Sequence, residues 1–170
     1  KQILQILKVI SWIAFIGLCI KTGSMVVSFI VSLFIHTEGS RNLYMGLNLS
    51  ALHQISLWHY VVMTGLIIIL SGLKAYMFFW VIKIISGINV SNPFNEYTSR
   101  LILKLSGIAL QIGITALITN IYAKWLMKNT APFSYDGGGT EFLYLAGILF
   151  VIAVIFKRGI EIQKENELTI

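Results

Sequence analysis

"LWHYVVMTGLIIILSGLKAYMFFWVIKII", Leu57–Ile85, decides the fold. A helix needs about 20 apolar residues to cross a hydrocarbon core. This run exceeds that length, and Lys74 is its one basic residue before Lys83 near the end. Three further apolar runs follow the same rule: Val9–Ile35, Leu101–Tyr122 and Phe142–Phe156. The last is short, but Leu143–Ile162 continues it as one helix whose final turns leave the bilayer. The spans are therefore expected at about 9–35, 57–85, 101–122 and 142–160, with a tail at 157–170.

Composition agrees. The 170 residues are 56% hydrophobic and 12% charged, with a mean hydropathy of +0.81. Soluble domains carry about a quarter charged residues, too many for this chain to match. The expected fold is an all-α integral membrane four-helix bundle, forming a single domain over 1–170. The first run is too long for a signal peptide. The lone Cys19 lies within it and leaves no disulfide or paired-thiolate framework.

Connections follow from the gaps. His36–Ser56 is polar, with Gly39, Ser40 and Asn42. Within Ser86–Arg100, Gly87 ends one helix and Asn92–Pro93 suits the start of the next. Lys128–Thr140 carries Pro132 and Gly137–Gly139, read as a flexible turn between helices.

The net charge of +6 is spread singly and gathers at the ends of the runs, which argues for topology signals and against direct nucleic-acid binding. With the N-terminus in the cytoplasm, that side holds Lys1, Lys8, Lys83, Arg100, Lys104, Lys157, Arg158 and Lys164. The other side holds Arg41, Lys124 and Lys128. Positive charge thus places both termini inside. Trp12, Trp80 and Phe156 mark the inner aromatic belt; Trp58, Tyr122, Trp125 and Tyr144 mark the outer one.

Two lysines remain within spans. At 1.5 Å per residue, Lys74 lies roughly 9 Å inside Trp80, and Lys21 roughly 13 Å beyond Trp12. Gln111 lies roughly 16 Å beyond Arg100 by the same rise. Lys21, Lys74 and Gln111 would then share one layer in the inner half, with Thr115 a turn further out. Such an intramembrane polar cluster suits an anionic or hydrogen-bonding ligand, or a switch between packings. The plainer reading is that each lysine stem carries its ammonium to the headgroups, easily from Lys74 and with difficulty from Lys21. No span holds an acid to pair with either, which argues against a proton relay or cation pathway.

His36, His53 and His59 lack a helical i, i+4 ligand pair, so no metal site is expected. "DGGGTE", Asp136–Glu141, lacks the ending of a phosphate loop. No nucleophile–base set or paired carboxylates appear, so neither catalytic residues nor a cofactor are expected. The small residues at Gly65, Gly72, Ala109 and Gly113 are packing positions, and no internal repeat supports a transporter of inverted halves. The tail mixes charges at helical spacing, with Arg158, Glu161, Gln163, Glu165 and Asn166 as candidate partner-docking residues. Its plainer role is to anchor the fourth span.

"FKRGIEIQKENELTI" (Phe156–Ile170), "NPF" (Asn92–Phe94) and "SGLKAY" (Ser71–Tyr76) resemble a bacterial family of small four-span membrane proteins catalogued as a domain of unknown function. The resemblance runs over essentially the whole chain. It implies a multi-pass protein of the bacterial cytoplasmic (inner) membrane. Because genes of that family often neighbour Xre-type helix-turn-helix regulators, it also implies a cytoplasmic regulator as partner beside the lipid bilayer. It supplies no catalytic residue. The function expected is a non-enzymatic membrane partner or sensor for such a regulator. The alternatives are a small transporter or resistance factor handling an anionic or amphipathic molecule, and a structural subunit of a larger complex.

Overall fold

Inside hydrocarbon every backbone N–H and C=O must find its partner within the chain, and a helix achieves this from each segment alone. A computed structural model describes residues 2–87, 95–135 and 137–167. The helices are α1 (Gln2–Phe34), α2 (Ser50–Ile55), α3 (Leu57–Gly87), α4 (Glu96–Asn129) and α5 (Glu141–Glu167), with a 3-10 turn at Thr37–Arg41. Among the described residues, α1, α3, α4 and α5 are long and apolar enough to cross a membrane. All four are longer than the apolar stretches that seed them, because helix continues into a flank: before the run in α1, after it in α3, and on both sides in α4 and α5. The chain thus has the all-helical, multi-pass character that its apolar runs require.

The start of α4 differs from expectation. Asn95, and not Asn92–Pro93, is the N-cap: its side chain accepts the Thr98 N–H at 2.8 Å. An asparagine cap satisfies an otherwise orphan donor of the first turn. Asn92 and Pro93 lie outside the described residues.

Packing follows the chain: α1 against α3, α3 against α4, and α4 against α5. Each interface carries a polar tie suited to a setting where water does not compete. The Ser32 and Tyr60 hydroxyls bond across α1–α3. His59 Nδ1 and the Tyr122 hydroxyl, 2.7 Å apart, join α3 to α4. The Ser106 hydroxyl donates to the Ala146 carbonyl at 2.9 Å across α4–α5. At the end that carries the start of α1 and the finish of α5 (the termini end), the ammonium groups of Lys104 and Lys83 lie 3.8 Å and 4.7 Å from the Trp80 ring centroid. Cations over the faces of an indole suit the boundary between hydrocarbon and headgroups.

The opposite, loop end is more built than its polar composition suggests. Leu43, Leu49 and Leu52 of the 36–56 connection are wholly buried, in one cluster with Met25, Tyr60, Met63 and Ala131. The connection lies so close to α1 that a Cβ on Gly39 would come within 3.0 Å of the Ser28 carbonyl oxygen. Asn42 accepts the Gly46 N–H at 3.0 Å, holding the turn in which Met45 and Gly46 take positive φ. This is a folded cap. Leu52→Ala is therefore expected to lower stability by about 2–4 kcal/mol, the range for a leucine truncated in a packed core. Reversible unfolding in mixed micelles checks it; a change near zero would mean that the cap is detached in solution.

Candidate functional site

Lys74 sits on α3 roughly 25 Å from Leu57, and Lys21 on α1 roughly 20 Å from Phe34, both counted at 1.5 Å per residue. Because α1 and α3 are antiparallel neighbours, the two residues meet. They line one cavity of about 150 Å³ with Leu18, Ile67, Leu70, Ser71, Tyr135 and Gly138. Beside it, the Thr22 and Ser71 hydroxyls lie 2.8 Å apart across the α1–α3 interface.

Tyr135 and Gly138 belong to the connection between α4 and α5, which runs back down along α4. Its depth is fixed by glycine contacts. A Cβ on Gly139 would come within 2.9 Å of the Ala116 Cβ, 3.4 Å of the Lys74 Nζ, and the residue holds φ +119°. Ala116 lies roughly 20 Å from the Asn129 end of α4. Gly137 abuts Asn120 so closely that any side chain there would collide with it, and its carbonyl accepts from Asn120 Nδ2 at 3.3 Å. A Cβ on Gly113 would meet the Leu143 side chain at 2.5 Å, so α5 starts deep against the middle of α4. The glycine triplet, read from sequence as a flexible turn, is thus a packed re-entrant segment. Irregular backbone at such depth is tolerated where protein or a water-filled cavity surrounds it. Asp136 lies outside the described residues.

Both ammonium groups point towards this segment and the loop end, opposite to the exit that snorkelling to the inner belt would take. For Lys74 the reason is elementary. A helical Cα–Cβ bond tilts towards its own N-terminus, and the N-terminus of α3 is at the loop end. Its Nζ lies 5.5 Å from the Phe142 ring centroid, and that of Lys21 lies 5.8 Å from the Tyr44 ring centroid. Among the described residues, neither makes an ion pair within 4.0 Å. Glu141 acts on Lys74 electrostatically but spends its carboxylate on the Gly139 N–H, at 2.8 Å. Each lysine therefore has an aromatic face beside it and, among the described residues, no bonded counter-ion.

The other two members of the expected layer do not join the cavity lining. Gln111 is exposed, and Thr115 uses its carbonyl to accept the Thr119 hydroxyl at 2.7 Å. Ile112 and Ala116 hold the core-facing positions of α4, so Gln111 and Thr115, one residue earlier in each case, are turned off that axis. Equal depth does not give equal direction. Tyr135, Gly138 and Ser71 are the residues that sequence reasoning missed. The usable signal was three consecutive glycines between two long apolar runs.

The tail is the last part of α5 and lies against α4. Lys164 Nζ reaches the Glu96 carboxylate at 2.7 Å, and Arg158 bonds Glu161 at 2.8 Å. Gln163 is half-buried and Glu165 exposed, while the side chain of Asn166 lies outside the described residues. At the loop end His53 packs edge-on to Tyr60 at 4.6 Å, and His59 is held by Tyr122. Among the described residues no three histidine, cysteine, aspartate or glutamate side chains gather as a metal site.

Residues 36–170 match the family described as "Protein of unknown function (DUF2975)", and the chain belongs to that family. No curated protein and no solved structure matches the chain.

Proposed function

We propose that this DUF2975 member is a non-enzymatic receptor in the bacterial inner membrane, with both termini in the cytoplasm, that binds a small anion from the opposite side. The observation that carries this is the pair Lys21 and Lys74 lining one cavity, without a bonded carboxylate among the described residues. An ionisable side chain at mid-membrane depth is costly, and two held together cost more through mutual repulsion. A phosphate- or carboxylate-sized group suits the cavity's volume, its hydroxyls and its charge.

The same layout suggests the output. Gly139 lies beside Lys74, so close that a Cβ there would come within 3.4 Å of its ammonium, and α5 begins two residues later and ends in the tail bearing Arg158, Glu161, Gln163 and Glu165. An anion that draws in the lysines shifts the glycine segment and with it α5. A cytoplasmic helix-turn-helix regulator docked at the tail would read that shift.

Access is the first test. Single cysteines at position 21 or 74, in a Cys19→Ser background, are treated with a membrane-impermeant thiol reagent on sealed, right-side-out vesicles. Labelling from the outer face alone is the expected outcome. Labelling from both faces would replace the receptor with a transporter. No labelling from either face would leave a structural subunit and sink the ligand site.

A further inference from the structure

A second surface, at the termini end, is independent of the lysine cavity. α4 and α5 part there around a groove of about 590 Å³, within the ~300–1,000 Å³ range of small-molecule sites. Leu103, Phe150 and Val154 form its floor and leave half their surface exposed. Arg100, Lys157 and Lys164 stand at its rim.

The rim charges are not equally engaged. Of the two rim carboxylates, Glu96 is held by Lys164 at 2.7 Å and Glu161 by Arg158 at 2.8 Å. Arg100 is left 3.9 Å from Glu96, beyond hydrogen-bonding distance. Lys157 lines the groove, and among the described residues it has no ion pair within 4.0 Å. Lys157 thus faces the groove without an ion pair among the described residues and Arg100 is only loosely paired, while both carboxylates are held at short range by other cations.

Depth decides what fills it. Lys104, over the Trp80 face, marks the boundary layer, and Arg100 lies one helical turn beyond it towards the headgroups. Phe150 lies roughly 10 Å deeper than Lys157 along α5. The groove therefore runs from cations at headgroup level to an apolar floor within the hydrocarbon. A soluble anion would leave the floor bare, and a neutral lipid would leave the cations unanswered.

We infer that this groove binds one anionic phospholipid, its phosphate between Arg100 and Lys157 and an acyl chain along Leu103, Val154 and Phe150. Basic pockets between membrane helices hold acidic headgroups in this way. The full chain is reconstituted into vesicles of phosphatidylcholine and phosphatidylglycerol in equal amounts, extracted gently, and weighed with its retained lipid by native mass spectrometry.

Phosphatidylglycerol should be retained over phosphatidylcholine by roughly tenfold to thirtyfold, the factor that two interfacial cations supply. The ratio should fall to near one in R100Q/K157Q, both partners being exposed side chains whose loss leaves the fold intact. V154W, which fills the groove without altering charge, should retain neither lipid there. K124Q/K128Q, at the loop end, should keep the full preference. Equal retention of the two lipids by the unaltered chain, or an undiminished ratio in R100Q/K157Q, would overturn the site. So would full retention in V154W.

Discussion

Valine at position 139 is expected to destabilise this protein by about 3 kcal/mol, from ~1–2 kcal/mol of left-handed backbone strain and ~1–3 kcal/mol of overpacking. Gly139 holds φ +119°, and an added Cβ would come within 2.9 Å of the Ala116 Cβ and 3.4 Å of the Lys74 ammonium. Ala116 does not yield, since it is buried in α4, whereas the Lys74 ammonium ends a flexible stem beside the cavity and adds little to the cost. Gly138→Ala is the control. Its added Cβ meets nothing within 4 Å and its φ is ordinary, so a change within about 0.5 kcal/mol is expected. Reversible unfolding in mixed micelles separates the two. Equal costs at 138 and 139 would mean that the re-entrant packing is absent in solution.

Removing the charge of the site should have the opposite sign. A lysine at the centre of a membrane helix costs about 2.5–3.5 kcal/mol on insertion scales. Lys74→Met keeps the length of the stem and its apolar packing while discarding an ammonium that has no bonded acid among the described residues. A gain of roughly 2 kcal/mol is expected from it, the cation–π contact to Phe142 offsetting the rest. Lys21→Met should add a similar gain and, in the double variant, less than the sum, because the first change already relieves the repulsion. A residue retained against stability is one held for function. Destabilisation by Lys74→Met would instead mark the ammonium as a structural tie to the glycine segment.

The architecture was legible because one physical rule governs it. Hydrocarbon demands long apolar helices, and Leu57–Ile85 carries that demand on its face. The details that failed obey other rules. Asn95 caps α4 because its side chain offers an acceptor to the Thr98 N–H, a bond that the placing of a proline does not reveal. Leu43, Leu49 and Leu52 were hidden in a polar stretch because a cap built of turns and the six-residue α2 is too short to show a helical or strand period.

At the site, spacing gave depth and nothing else. It put Lys21, Lys74 and Gln111 at one depth along the helix axes but could not say which way each faces. The direction of the Lys74 stem was available from the tilt of the Cα–Cβ bond, once the sense of α3 was known. The return of Tyr135 and Gly138 to that depth was not, since it rests on contacts of Gly137 and Gly139 that no local pattern encodes.

The central claim is that Lys21 and Lys74 act on one cavity that favours anions. Its most direct measurement is the reactivity of a cysteine at position 21, in the Cys19→Ser background, towards an anionic and a cationic thiol reagent of similar size. The ratio of the two rates reads the local charge. With Lys74 present it should favour the anion by about tenfold, and Lys74→Gln should reduce it to within about twofold of free cysteine, as expected for one charge at short range in a partly hydrated site. A ratio that does not respond to position 74 would contradict the account.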